Sequence, residues 1–172
     1  MKAILKGAQR VGAAIGRVED WLAITLVVAL GVVVNLQIFS RYLFSAPFIW
    51  PEEVSRVLMI WIAFIGSAAV TRRGADMAVD TFVLMLPPKG QRVLAIVKDL
   101  VVAALFGFVA LQGQALAAAV ANMPLIATGW PTAVIAWPLV VGGILTAFHS
   151  LVRAADLVLV GSEPTMAPKT LT

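Results

Sequence analysis

The 172-residue chain has no cysteine and a single histidine, His149. A disulfide framework, thiolate metal sites and a cysteine nucleophile are therefore excluded, and bis-histidine haem or two-histidine zinc sites lack ligands. Charge is also scarce. Asp, Glu, Lys and Arg make up 13% of residues, against roughly 25% in a typical soluble domain, so little polar material is available to coat a water-facing surface. No acid lies between Trp21 and Ser40, between Val57 and Thr71, or between Leu100 and Val152. Intramembrane carboxylates commonly mark proton-coupled carriers, and their absence from these runs argues against a chain that moves solute alone.

Hydrophobicity is what the chain has in excess. At 61% hydrophobic residues and a mean hydropathy of +0.97, it carries more apolar surface than one compact soluble core can hide. The expected fold class is an all-α integral membrane protein with four transmembrane helices. The run from Trp21 to Ser40 has 20 residues without charge, matching the ~20 needed to cross the bilayer core as a helix. The basic leader before it (Lys2, Lys6, Arg10, Arg17) also suits a secretory signal, but the run exceeds an ordinary signal core and no A-x-A site follows. An uncleaved first helix is expected.

The second run, Val57 to Thr71, has only 15 residues, but Pro51 suits a first helical position and lets the helix start near Glu52. Gly74 is placed to end it, with Arg72 and Arg73 at its negative C-terminal end. Pro87-Pro88 marks a further boundary. From Leu100 to Val152 lie 53 uncharged residues, enough for two helices, with turn signals at Asn122-Met123-Pro124 and Thr128-Gly129-Trp130-Pro131. The expected spans are 21–40, 51–71, 100–121 and 131–152 within one membrane domain of residues 1–160, followed by a mobile tail, 161–172. Ahead of the third span, Lys89 to Asp99 sets Val93, Leu94, Ile96 and Val97 between charges, the pattern of an interfacial amphipathic helix.

The net charge of +4 does not point to nucleic acid, because the cations border apolar runs instead of forming one stripe. They encode orientation. With both termini in the cytoplasm, Lys2, Lys6, Arg10, Arg17, Arg72, Arg73, Lys89, Arg92, Lys98, Arg153 and Lys169 fall inside, and Arg41 and Arg56 outside. Tyr42, Trp50 and Trp130 fall at the outer boundary and Trp21 at the inner one, where amphipathic rings settle.

Within the expected spans the polar residues are Asn35, Gln37, Ser67, Gln112, Gln114, Thr146 and His149. The amides read as interhelical hydrogen-bonding groups and His149 as a packing or interface residue. Small residues at Gly66-Ser67-Ala68-Ala69 and at Gly142, Gly143 and Thr146 form close-packing faces, toward either another helix of the chain or another subunit.

The densest cluster lies at the outer boundary: Arg41-Tyr42-Leu43-Phe44, then Trp50-Pro51-Glu52-Glu53-Val54-Ser55-Arg56. Glu52 and Glu53 occupy the first turn of the second helix, favourable against its dipole, and Arg56 is spaced to pair with either. Arg41 should emerge at the same level, giving a neutral group that pins two helices or meets a partner. No nucleophile or metal ligand accompanies the carboxylates, so neither an enzyme nor a cofactor is expected.

At this cluster the chain resembles the small membrane subunit of tripartite ATP-independent periplasmic (TRAP) transporters. Arg41-Tyr42-Leu43-Phe44-Ser45-Ala46-Pro47, Trp50 with Glu52-Glu53 and Arg56, Trp61, Phe64, Gly66, Ala68, Arg72-Arg73-Gly74, Val79-Asp80 and Leu86-Pro87 are similar to the family's signatures R-Y-x-F-x-x-P, W-x-E-E-x-x-R, R-x-G and V-D, in order. Many members have a histidine two residues after the R-x-G glycine; here Asp76 stands there, so no role for that histidine carries over.

The resemblance implies a small permease in the bacterial inner membrane. It would brace a large TRAP membrane subunit during sodium-coupled uptake of an organic acid delivered by a periplasmic solute-binding protein. It further implies structural or interface roles for Arg41, Tyr42, Trp50, Glu52, Glu53, Arg56, Arg72, Arg73, Gly74 and Asp80, with loss of assembly expected when Arg56 is removed. The alternatives are an autonomous four-helix exporter, disfavoured by the lack of a central acid, and a membrane anchor of an oxidoreductase, disfavoured by the single histidine.

Overall fold

The computed structural model describes residues 2–43, 48–74 and 87–159. Helices dominate: α1 (Lys2–Leu43), α2 (Trp50–Arg73), α3 (Pro88–Ala119) and α4 (Ala133–Leu159), with no strand among the described residues. All four contain stretches long and apolar enough to cross a membrane. The tail 161–172 lies outside the described residues.

Each helix boundary has a local cause. Pro51 sits in the first turn of α2, where its missing N–H costs nothing, and Gly74 ends the helix in the left-handed region at φ 66°. Its N–H reaches the Thr71 carbonyl at 3.1 Å. Pro88 opens α3 in the same manner as Pro51 opens α2. Between α3 and α4 the chain folds back tightly. Leu125 N–H donates to the Trp130 carbonyl at 2.7 Å and Thr132 N–H to the Met123 carbonyl at 2.8 Å. Gly129 supplies the positive φ, 70°, that this turn requires.

One expectation is corrected here. Lys89 to Asp99 is not a separate interfacial helix but the first third of a continuous α3. No breaker separates it from the apolar part, and two of its charges find partners on α4 instead of water: Arg92 meets the Leu157 carbonyl and Asp99 meets Arg153.

α4 is the hub. It packs most extensively on α3, then on α2, and only lightly on α1, which leans mainly on α2. Adjacent glycines make this possible. A Cβ at Gly142 would stand 2.5 Å from Cβ of Phe64 on α2, and one at Gly143 would stand 2.9 Å from the Phe106 carbonyl oxygen on α3. The small residues of α4 thus face inward, within the chain, and let two backbones approach from two sides. Gly66, by contrast, faces open space.

The burial pattern is that of a lipid-solvated bundle. The small Ala68, Ala95 and Ala136 fill the interior beside Asp99, Thr146, Ser150 and His149, whereas Val28, Val101, Phe108 and Leu111 are exposed. Large apolar groups outside, with buried Asp99 and His149 meeting charged partners within, suit a hydrocarbon surround.

Candidate functional site

Two polar assemblies hold the helices at opposite ends. At the first, Glu19 of α1 is 2% exposed and accepts from Nε2 of His149 of α4 at 2.8 Å. Its second oxygen is 3.3 Å from Nε of Arg72 of α2. Asp20 next to it receives both Arg72 and Arg73 at 2.7 Å. The two arginines end α2 just before Gly74, so they face the acids of α1 while also offsetting the negative end of their own helix. Gly16 lies close beneath them: a Cβ there would displace the end of the Arg72 side chain, which also donates to the Gly16 carbonyl at 3.3 Å.

The assembly continues through α4 to α3. Arg153 lies one turn beyond His149, donates to the Thr71 carbonyl at 2.8 Å and stands 3.7 Å from Asp99. Asp99 is fully buried and has Lys98 3.6 Å from its other oxygen. Arg92, two turns earlier on α3, donates through Nε to the Leu157 carbonyl at 2.9 Å, satisfying the end of α4. Every helix is therefore joined to another by a charged group at this level. Such pairs are costly to bury but far costlier to break, because the survivor is left unpaired in a low dielectric.

At the opposite end, Glu53 in the first turn of α2 receives the α3–α4 loop. Its oxygens accept from the backbone N–H groups of Ala127 and Thr128, each at 2.9 Å, and from the Thr128 hydroxyl at 3.0 Å. Charge-assisted bonds of this kind are the stronger ones. Neighbouring Glu52 does something different: it meets Arg56 at 3.5 Å on the exposed face of the same helix.

Comparison with known proteins fits this architecture. Residues 10–159 match the family model described as tripartite ATP-independent periplasmic transporters, DctQ component. The chain belongs to the DctQ family. It is also similar, at 27% identity over 143 residues covering 83% of each chain, to the sialic acid TRAP transporter small permease protein SiaQ of Vibrio cholerae. A second relative is the sialic acid TRAP transporter permease protein SiaT of Haemophilus influenzae, 31% identical over 75 residues, 44% of this chain but 12% of the relative. DctQ proteins are transporter components, not enzymes.

In this DctQ chain the expected outer group of four does not assemble. Arg41 ends α1 exposed, and no ion pair joins it to Glu52 or Glu53 among the described residues. Glu53 is drawn instead to the two N–H groups of the loop. Removing Arg56 would leave only the exposed Glu52 without its partner, so the expected burial of an orphaned carboxylate there is also corrected. Tyr42 is 80% exposed, and Trp50 packs near Phe48 with ring centroids 6.3 Å apart. Arg72, Arg73 and Gly74 belong to the other end, and Asp80 lies outside the described residues.

The residues that sequence reasoning missed are Glu19, Asp20, Asp99, Arg92 and Arg153. Glu19 and Asp99 stand just outside the expected spans, yet both are buried carboxylates. The i, i+4 spacing of His149 and Arg153 was the available signal for a polar face on α4.

Proposed function

We propose that this chain is a small permease that braces the large membrane subunit of a TRAP-type transporter during sodium-coupled uptake of an organic acid delivered by a periplasmic binding protein. In this reading residues 1–160 form one membrane unit in the bacterial inner membrane, with both termini cytoplasmic. The observation that carries it is the charge assembly of buried Glu19, Asp99 and His149 with half-buried Arg72 and Arg153, which ties four lipid-exposed helices into one body. A brace must resist displacement while a neighbouring subunit moves, and buried pairs at one end with a clamped loop at the other supply that resistance.

The similarity to SiaT supports a large membrane partner. A region like this chain makes up 12% of that protein, so in that relative it shares one polypeptide with a much longer remainder. Sialic acid, named for both relatives, is a carboxylic acid and fits the proposed cargo class.

The test is reconstitution with the large subunit and binding protein from the same source. Uptake should require all three proteins and a sodium gradient, and Asp99→Asn should lower uptake together with recovery of the complex. Uptake by this chain alone, or full uptake without it, would reject the bracing role.

A further inference from the structure

One face of α1 has no partner among the described residues. Val18, Trp21, Leu22, Val28, Val32 and Phe39 recur on it at helical spacing, all exposed, and the most apolar stretch of α1 has no buried residue at all. From Arg17 to Phe39 the face rises about 33 Å, enough to traverse the hydrocarbon. Two shallow grooves run along it, one of about 660 Å³ toward Phe48 and one of about 390 Å³ beside Arg17.

Three features make this face unlike one built for lipid tails. First, Asn35 is exposed on it five residues inside the Ser40 end of the expected span. Its Nδ2 donates to the Gly31 carbonyl at 2.7 Å, and its Oδ1 accepts nothing among the described residues. An unmet amide acceptor is costly in hydrocarbon, where no water completes it. Second, Gly31 opens a notch in the same groove, with nothing within 4 Å of a Cβ built there. Third, Arg17 is exposed and unpaired among the described residues, because the nearby acids Glu19 and Asp20 are engaged by Arg72 and Arg73.

We propose that the α1 face from Arg17 to Phe39 docks a transmembrane helix of the large subunit. The inference rests on the bracing reading above. The docked helix fits its backbone into the Gly31 notch, donates a hydrogen bond from a Ser, Thr, Asn or Gln to Asn35 Oδ1, and carries an acid opposite Arg17. A second copy of this chain is a poorer occupant: a two-fold axis along the membrane normal would bring Arg17 toward Arg17.

The experiment uses the co-expressed complex, with a photoreactive benzoylphenylalanine introduced singly at Val28, Val32 or Leu36 on α1. The controls are Val101, Leu105 and Phe108 on α3, which are also exposed. Irradiation should give an adduct with the large subunit from the α1 positions and none from α3. An adduct of twice this chain's mass would overturn the proposal in favour of self-association. An intact complex with no protein adduct from α1, or with adducts from α3 alone, would overturn it while leaving the bracing reading in place. Failure of the large subunit to co-purify with the unmodified chain would reject both.

Discussion

Glu19 and His149, both more than nine-tenths buried and 130 positions apart in sequence, meet at 2.8 Å between α1 and α4. An ionised carboxylate only accepts, so the histidine donates through Nε2. The other carboxylate oxygen faces Arg72, which makes Glu19 the point where three helices share one charge. α1 has little other contact with α4.

Removing that charge should therefore loosen α1 more than any single apolar truncation on its exposed face. Glu19→Ala is expected to destabilise the purified chain by about 3–5 kcal/mol, the scale for orphaning a buried partner. Thermal unfolding in detergent measures it, with Val28→Ala as the exposed control. Equal midpoints for the two variants would contradict the role assigned to Glu19.

Adjacent glutamates should behave differently. Glu53 accepts three hydrogen bonds from the α3–α4 loop, whereas Glu52 meets Arg56 across an exposed turn. Glu53→Ala should raise amide exchange at Ala127 and Thr128, read by mass spectrometry. Neither Glu52→Ala nor Arg56→Ala should alter it, since exposed i, i+4 pairs contribute only about 0.3–0.5 kcal/mol.

Glycines on two helices give a further contrast. At Gly142 a new methyl would meet both Cβ and backbone of Phe64 within 2.9 Å, so Gly142→Ala forces α2 and α4 apart. A loss of about 1–3 kcal/mol is expected, the usual cost of overpacking. Gly66 meets nothing, and Gly66→Ala should gain up to about 1 kcal/mol from helix propensity. Unfolding of the isolated chain distinguishes them, and a stabilised Gly142→Ala would show that the helices do not cross there.

Much of this fold is legible in the sequence because local chemistry decides it. Pro51 and Gly74 set the ends of α2 locally and act as expected, and the chain turns at Asn122–Pro131 as expected, although Glu53 also holds that loop from α2. The arrangement of helices is another matter. When most faces are apolar, hydropathy cannot separate the face toward lipid from the face toward a neighbour. Asp99 illustrates the difficulty. At the edge of an uncharged run it reads as a membrane boundary, yet its partner Arg153 lies 54 positions away, at the far edge of that run. Only the folding back of α3 on α4 brings those two edges together and turns a boundary into an interior pair. Glu53 was legible as important but not in its role, since its ligands are backbone groups, which carry no signature in sequence.

The same end-to-end pairing bears on orientation. Arg17, Arg72, Arg73, Arg92, Lys98 and Arg153 all cluster at the end of the bundle that holds Glu19 and Asp99, and the α3–α4 loop with Ile126 marks the other. Cations are retained on the cytoplasmic side during insertion, so the loop should face the periplasm. Because the chain has no cysteine, single replacements report on this without background. Ile126, 99% exposed at the loop, replaced by Cys should react with a membrane-impermeant maleimide in intact spheroplasts, whereas Lys89→Cys should react only after permeabilisation. The reverse pattern would place the charge assembly outside and overturn the topology on which the bracing reading depends.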